Sequence, residues 1–120
     1  DNVRAIKIRS EDLASSEGRE TYDVATARAV ASLPVLAELA SPLLREGGVL
    51  VAWKGARDPA DERNLAAIEG QVAMRLERIH AVIPFPSSRT RHLYVLEKTG
   101  QTPSGLPRRP GMARKRPFTG

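Results

Sequence analysis

Apolar and polar positions change period several times along this chain. VRAIKI (3–8) is rich in β-branched residues and reads as a strand, and YDVATA (22–27) reads as a second. Between them Ser10 can cap a short helical turn, and Gly18 ends that unit. Leu36, Leu39, Ala40, Leu43 and Leu44 then recur at i, i+3, i+4, i+7 and i+8, the stripe of an amphipathic helix. Ser32 stands at its N-cap and Pro34 in its first turn, where a missing N–H is tolerated. Pro42 predicts a kink near the helix end, and Gly47-Gly48 predict the stop. VLVAW (49–53) is a continuous apolar run, the pattern of a strand buried on both faces of a parallel sheet. Asp58 and Pro59 open a further helix with Leu65, Ile68, Val72 and Leu76 on one face. Gly70 weakens that helix by roughly 1 kcal/mol relative to Ala. LERIHAVI (76–83) and HLYVLE (92–97) predict two last strands, with Pro84 and Pro86 in the loop between. Residues 100–120 have no periodicity and are expected to be irregular or extended.

The predicted order is β, β-α, β-α, β, β. Alternating units predict an α/β fold, a mostly parallel sheet with helices on both faces. The closing pair, joined without a helix, predicts an antiparallel strand at the sheet edge. No internal repeat is visible.

Composition narrows the function classes. A chain of 120 residues makes one domain or part of one. There is no cysteine, which excludes disulfides, cysteine nucleophiles and cysteine-ligated zinc and fits a reducing cytoplasm. No apolar run approaches the ~20 residues of a membrane span, and no signal peptide is expected. The chain starts at Asp1, directly before a strand-like run, so sequence upstream is expected. Five aromatic residues are too few for a base-stacking platform.

Charge changes the picture most. The chain carries 19 Lys and Arg against 14 Asp and Glu, a net of +5. From Lys98 to Gly120 there are six cations (Lys98, Arg108, Arg109, Arg114, Lys115, Arg116) and no acid, so residues 1–97 are nearly neutral. A localised basic segment is the footprint of a polyanion partner, or else a solvated tail.

In open parallel sheets, ligands bind beyond the carboxyl ends of the strands. Those positions here are Arg9, Ser10 and Glu11 after the first strand, Arg28 and Ala29 after the second, and Lys54 and Gly55 after the third. Any one of them could be polar only because it meets water: Arg28 could pair with Asp23 or Glu11, and Lys54 could snorkel at a strand end. There is no GxGxxG, no phosphate-binding P-loop and no GxSxG elbow. His80 and His92 are too isolated for a metal pair, so no metal is expected. Asp61-Glu62 sit at a helix start, where they favour the dipole.

RSEDL, YDVATARAVASL, PLLREGGVLVAWKG, RTRHLYVLEKTG and PRRPGMARKRPF, in this order and spacing, cover nearly the whole chain. Together they resemble the C-terminal portion of the bacterial 16S ribosomal RNA guanine-N7 methyltransferases, the glucose-inhibited division protein B family. The resemblance implies a Rossmann-like, S-adenosylmethionine-dependent methyltransferase sheet, of which only the later strands are present. The family's glycine-rich cofactor loop and its ribose-binding acid, which follow the first two strands, are not in these residues. It divides the chain into residues 1–99, part of the methyltransferase domain, and 100–120, a basic RNA-binding tail. By matching position, Ser10, Glu11 and Arg28 are implied to border S-adenosylmethionine. Lys54, Arg91, Arg108, Arg109, Arg114, Lys115 and Arg116 are implied to meet RNA, with the small ribosomal subunit as partner and the cytoplasm as location. No catalytic residue is named. Guanine N7 carries a free lone pair, so attack on a sulfonium methyl requires no general base. A non-catalytic RNA- or ribosome-binding module is the alternative, and a small-molecule or protein target is a weaker third.

Overall fold

A computed structural model describes residues 2–28 and 31–120 of the chain. Ala29, expected beside Arg28 at a strand end, lies outside the described residues. The elements are α1 (Ser10–Ala14), β1 (Tyr22–Arg28), α2 (Leu33–Ala40), β2 (Leu44–Lys54), α3 (Pro59–Val72), β3 (Met74–Val82), β4 (Arg91–Lys98) and α4 (Met112–Lys115). A 3-10 turn, Ser41–Leu43, joins α2 to β2.

The four strands form one mixed sheet in the order β1-β2-β4-β3. β1 and β2 are parallel, and β4 runs antiparallel to both β2 and β3. This corrects two expectations. The sheet is not mostly parallel in its pairings, and the antiparallel strand is interior rather than at the edge. The short loop after β3 forces the chain back antiparallel. It returns on the inner side of β3 because that position buries Tyr94, Val95 and Leu96, which are 1%, 8% and 0% exposed. β3 carries Arg75, Glu77, Arg78 and His80, all exposed, and charge suits an edge. Arg75 pairs with Glu97 directly across the ladder at 2.8 Å.

The predicted strand at 3–8 does not form. Residues 2–9 join no ladder among the described residues, and the Val3, Ile6 and Ile8 side chains are exposed. Strand propensity states only that a segment fits a pleated surface, and it needs a neighbouring strand to be realised.

The predicted long helix stops early, at Ala40, because Pro42 lacks an N–H and its ring clashes with the carbonyl one turn back. Leu44 keeps its burial (0% exposed) as the first residue of β2. Gly47 and Gly48 therefore lie inside a strand instead of ending a helix. The β1–β2 register shifts between Tyr22 and Val24, and Gly47 takes φ +83° to absorb it. At Gly48 a Cβ would lie 2.9 Å from the Asp23 carbonyl oxygen, so only glycine fits.

α2 and α3 pack on each other and on one face of the sheet. Leu33, Leu36, Leu65, Ile68 and Val72 from these helices meet Leu50, Ala52, Tyr94 and Leu96 from the strands. Each large apolar side chain buried this way contributes roughly 1.5–3 kcal/mol. The expectation of helices on both faces is not met among the described residues. Thr26, Arg28, Val51, Trp53 and Leu93 instead line an open groove of about 410 Å³ on the sheet. Val24 is 54% exposed.

The segment after β4 packs on the body rather than trailing into solvent. All of α2 but Leu39 is buried, since the sheet covers one side and the C-terminal segment approaches the other. Leu106 and Ala113 are 5% and 2% exposed.

Candidate nucleotide and nucleic-acid site

Parallel pairing of β1 and β2 sets their carboxyl ends at one edge, with Arg28 in register with Trp53 and Lys54 one residue beyond. Antiparallel β4 brings His92 opposite Lys54, and Arg91 next to it. Arg28, Lys54, Arg91 and His92 thus gather at one edge although 63 residues separate Arg28 from Arg91 in the chain. Ser10, on α1, lines an apolar slot of about 190 Å³ with Ala25, Thr26, Ala27, Leu36 and Leu39.

Each charged group at this edge has its own environment. Arg28 is exposed at the end of β1 and lines the open sheet groove. Asp23 is taken by Arg45 at 2.5 Å, and the Glu11 carboxylate by the Gly111 amide at 2.9 Å. Lys54 is held differently from what its position in sequence implies. Its ammonium donates to the Ala31 carbonyl at 2.9 Å and the Asp61 carboxylate at 3.3 Å, and its side chain is only 14% exposed. Asp61 also accepts the Leu33 N–H at 3.1 Å, so it caps α2 from outside, and the Ser32 hydroxyl makes no cap bond. Asp61 therefore braces two helices and a strand end, where the sequence pointed only to a dipole effect on its own helix. The Asp58 carboxylate caps α3 by accepting from the Ala60 and Asp61 amides.

A second cluster stiffens the loop after β2. His92 Nδ1 donates to the Gly55 carbonyl at 2.6 Å. The Tyr94 hydroxyl donates to Glu62 at 2.6 Å, and Arg57 forks onto the same carboxylate at 2.6 and 3.1 Å. Arg57 first, then Tyr94, holds the Glu62 carboxyl below its usual pKa. Burial, then the Glu62 contact, pushes the Tyr94 phenol up. The sequence gives no sign of this group, because Gly55, Arg57 and Glu62 meet His92 and Tyr94 only through the β4 insertion.

The six cations expected to face RNA divide in two. Lys98 is 1% exposed and donates to the Ser41 and Leu44 carbonyls and the Thr102 hydroxyl. Burial lowers its pKa, an effect opposed by Glu20. Arg108 forks onto Glu38 at 2.6 and 2.7 Å and stacks 4.3 Å over Phe118. Glu38 is 3% exposed, and this contact raises the Arg108 pKa. Neither charge is presented outward. Arg109, Arg114, Lys115 and Arg116 are exposed, on or beside α4. An acid among the apolar residues of α2, LPVLAELA, was the available sign that Glu38 needs a buried partner.

No helix of the described residues is long and apolar enough to cross a membrane. Among them, no group of three or more His, Cys, Asp or Glu side chains is placed to hold a metal ion.

Residues 1–94 match the family model GidB, rRNA small subunit methyltransferase G. The chain belongs to this family. Among its relatives, the proteins named ribosomal RNA small subunit methyltransferase G from Deinococcus deserti and Deinococcus radiodurans are 41% and 47% identical over 98% of this chain. The one from Macrococcus caseolyticus is 39% identical over 98% of it. These matches cover 48%, 47% and 49% of the three relatives, so the chain spans about half the length of the methyltransferase G proteins it matches.

Proposed function

We propose that this chain is the part of a methyltransferase G enzyme that flanks the cofactor and meets the RNA, and that the intact protein methylates guanine N7 in 16S ribosomal RNA of the small subunit, in the cytoplasm. The observation that carries this reading is the gathering of Arg28, Lys54, Arg91 and His92 at the edge formed by the carboxyl ends of β1 and β2, in a chain of this family. That edge is where open α/β sheets take nucleotides.

The residues fit S-adenosylmethionine. The apolar slot lined by Ser10 suits a planar base, and Ser10 also lines the adjoining cavity together with Glu11. When bound, the cofactor supplies an electrophilic methyl group. Ser10 and Glu11 border its nucleoside. Arg28 faces the cofactor and the incoming base, where a guanidinium can hydrogen-bond guanine O6 and hold N7 in line. No residue needs to remove a proton, since N7 attacks with its lone pair. Lys54 acts through Asp61, keeping the β2 end and the start of α2 in place. Arg91 and the exposed cations Arg109, Arg114, Lys115 and Arg116 neutralise RNA phosphates. On this reading residues 1–99 belong to the methyltransferase domain and 100–120 to its RNA-facing segment.

The full fold on this reading is a Rossmann-like methyltransferase sheet. Two features support it among the described residues: β1 has no strand on its outer side, and no helix covers the apolar sheet face at Val51, Trp53 and Leu93. Further strands and helices of the intact protein cover both. Trp53, the one tryptophan here, then reports coverage. Its fluorescence should be red-shifted in the isolated 120-residue chain and blue-shifted once the rest of the protein is restored. Equal emission in both would contradict the covering.

The deciding experiment supplies the intact gene product with labelled S-adenosylmethionine and undermethylated small subunits, followed by digestion of the RNA. Label in 7-methylguanosine is expected. RNA binding without label would leave a non-catalytic RNA-binding module.

A further inference from the structure

The C-terminal segment passes over the residues that border the cofactor on the reading above. Arg9, Ser10, Glu11 and Leu39 on the body face Gly111 and Arg114 of that segment across a cavity of about 270 Å³. Ser10 and Leu39 also line the apolar slot of about 190 Å³, so the two cavities adjoin. One half is apolar and the other is rimmed by two arginines and a carboxylate, the composition of a pocket for a base joined to a polar sugar and charged group.

The contact is built rather than incidental. Glu11 is 9% exposed, and its carboxylate accepts the Gly111 N–H at 2.9 Å and the Ser10 hydroxyl at 3.3 Å. Gly111 has φ +88°, which side-chain-bearing residues adopt with strain. The Arg9 guanidinium lies 3.7 Å from where a Cβ would project. Two anchors hold the segment, the Arg108–Glu38 fork before it and buried Ala113 within it.

We propose that Gly111–Arg114 forms one wall of the pocket for the cofactor's nucleoside, with Glu11 as the positioning residue that seats it. This rests on the cofactor reading above. The segment is then part of the cofactor site and not only an RNA contact. Its removal weakens cofactor binding even when no RNA is present.

The test is calorimetric titration of S-adenosylhomocysteine into the intact protein without RNA, comparing wild type, Gly111→Ala and a chain ended after Pro110. Thermal unfolding is followed in parallel. Expected are binding by wild type and affinities about tenfold lower in both variants. A second measurement avoids dependence on variant folding: amide exchange at residues 111–114 of the wild type should slow when the ligand is added. Wild-type binding with unchanged variant affinity, or with unprotected amides at 111–114, overturns the wall. If wild type binds no S-adenosylhomocysteine, the cofactor reading itself fails and the wall with it.

Discussion

Arg108→Ala should destabilise the protein by about 3 kcal/mol. Glu38 is 3% exposed on a helix buried nearly all round, and both of its oxygens are taken by the Arg108 guanidinium. Removing the arginine leaves a carboxylate in a water-poor site. Breaking a buried pair from one side costs about 3–5 kcal/mol, and the low end applies because the Arg108 side chain is 22% exposed and water can reach the gap. The ring of Phe118 also loses its cation, a smaller effect. Against a total stability of about 5–15 kcal/mol this is a large fraction. Urea unfolding of Arg108→Ala, Glu38→Leu and the double variant Glu38→Leu/Arg108→Met measures it. The double variant should recover most of the loss, since an apolar pair of similar volume replaces a buried ion pair at little cost. The reasoning is refuted if Arg108→Ala costs under about 1 kcal/mol, or if the single losses simply add in the double. A role as a phosphate contact predicts the opposite pattern, RNA affinity lost at unchanged stability.

Three further outcomes are expected. Glu62 has its pKa lowered by Arg57 and Tyr94, so the unfolded chain binds its proton more readily than the folded one. Its contribution is complete above the ordinary glutamate range and lost as pH falls through the depressed folded value, so Glu62→Gln should flatten the acid limb of stability against pH. Arg28→Ala, at an exposed strand end, should leave the unfolding midpoint unchanged and lower methyl transfer in the intact protein on the order of 100-fold. Normal turnover would remove Arg28 from the site. Replacing Arg109, Arg114, Lys115 and Arg116 by Gln should reduce the slope of log RNA affinity against log salt by about 3, whereas Arg108 would be a poor member of such a set because its charge is already matched.

Much of the architecture was legible because it rests on local signals. Asp58-Pro59 marks the start of α3, and its carboxylate does cap it. VLVAW is the core of β2, YDVATA lies within β1, and HLYVLE lies within β4. The family was legible because short motifs kept their order and spacing. The rule that parallel strands deliver their carboxyl ends to one edge picked out Arg28 and Lys54, which do lie at the ends of β1 and β2, while Arg9, Ser10 and Glu11 follow a segment that forms no strand.

Pairing and charge compensation were not legible. A strand's sequence states that it fits a pleated surface, not which neighbour it will find. VRAIKI therefore read as a strand yet joins no ladder among the described residues, and the closing pair read as putting an antiparallel strand at the edge, yet the antiparallel strand HLYVLE sits inside the sheet. Charge behaves the same way. Lys54, Lys98 and Arg108 read as free cations, and each is matched by groups that only the fold brings near: Asp61, the Ser41 and Leu44 carbonyls, and Glu38. The sequence by itself determined the cores of β1, β2, β4 and α3 and how much charge the C-terminal segment carries. The tertiary structure alone decided which of those charges remain available, because desolvation and pairing depend on contacts between residues distant in the chain.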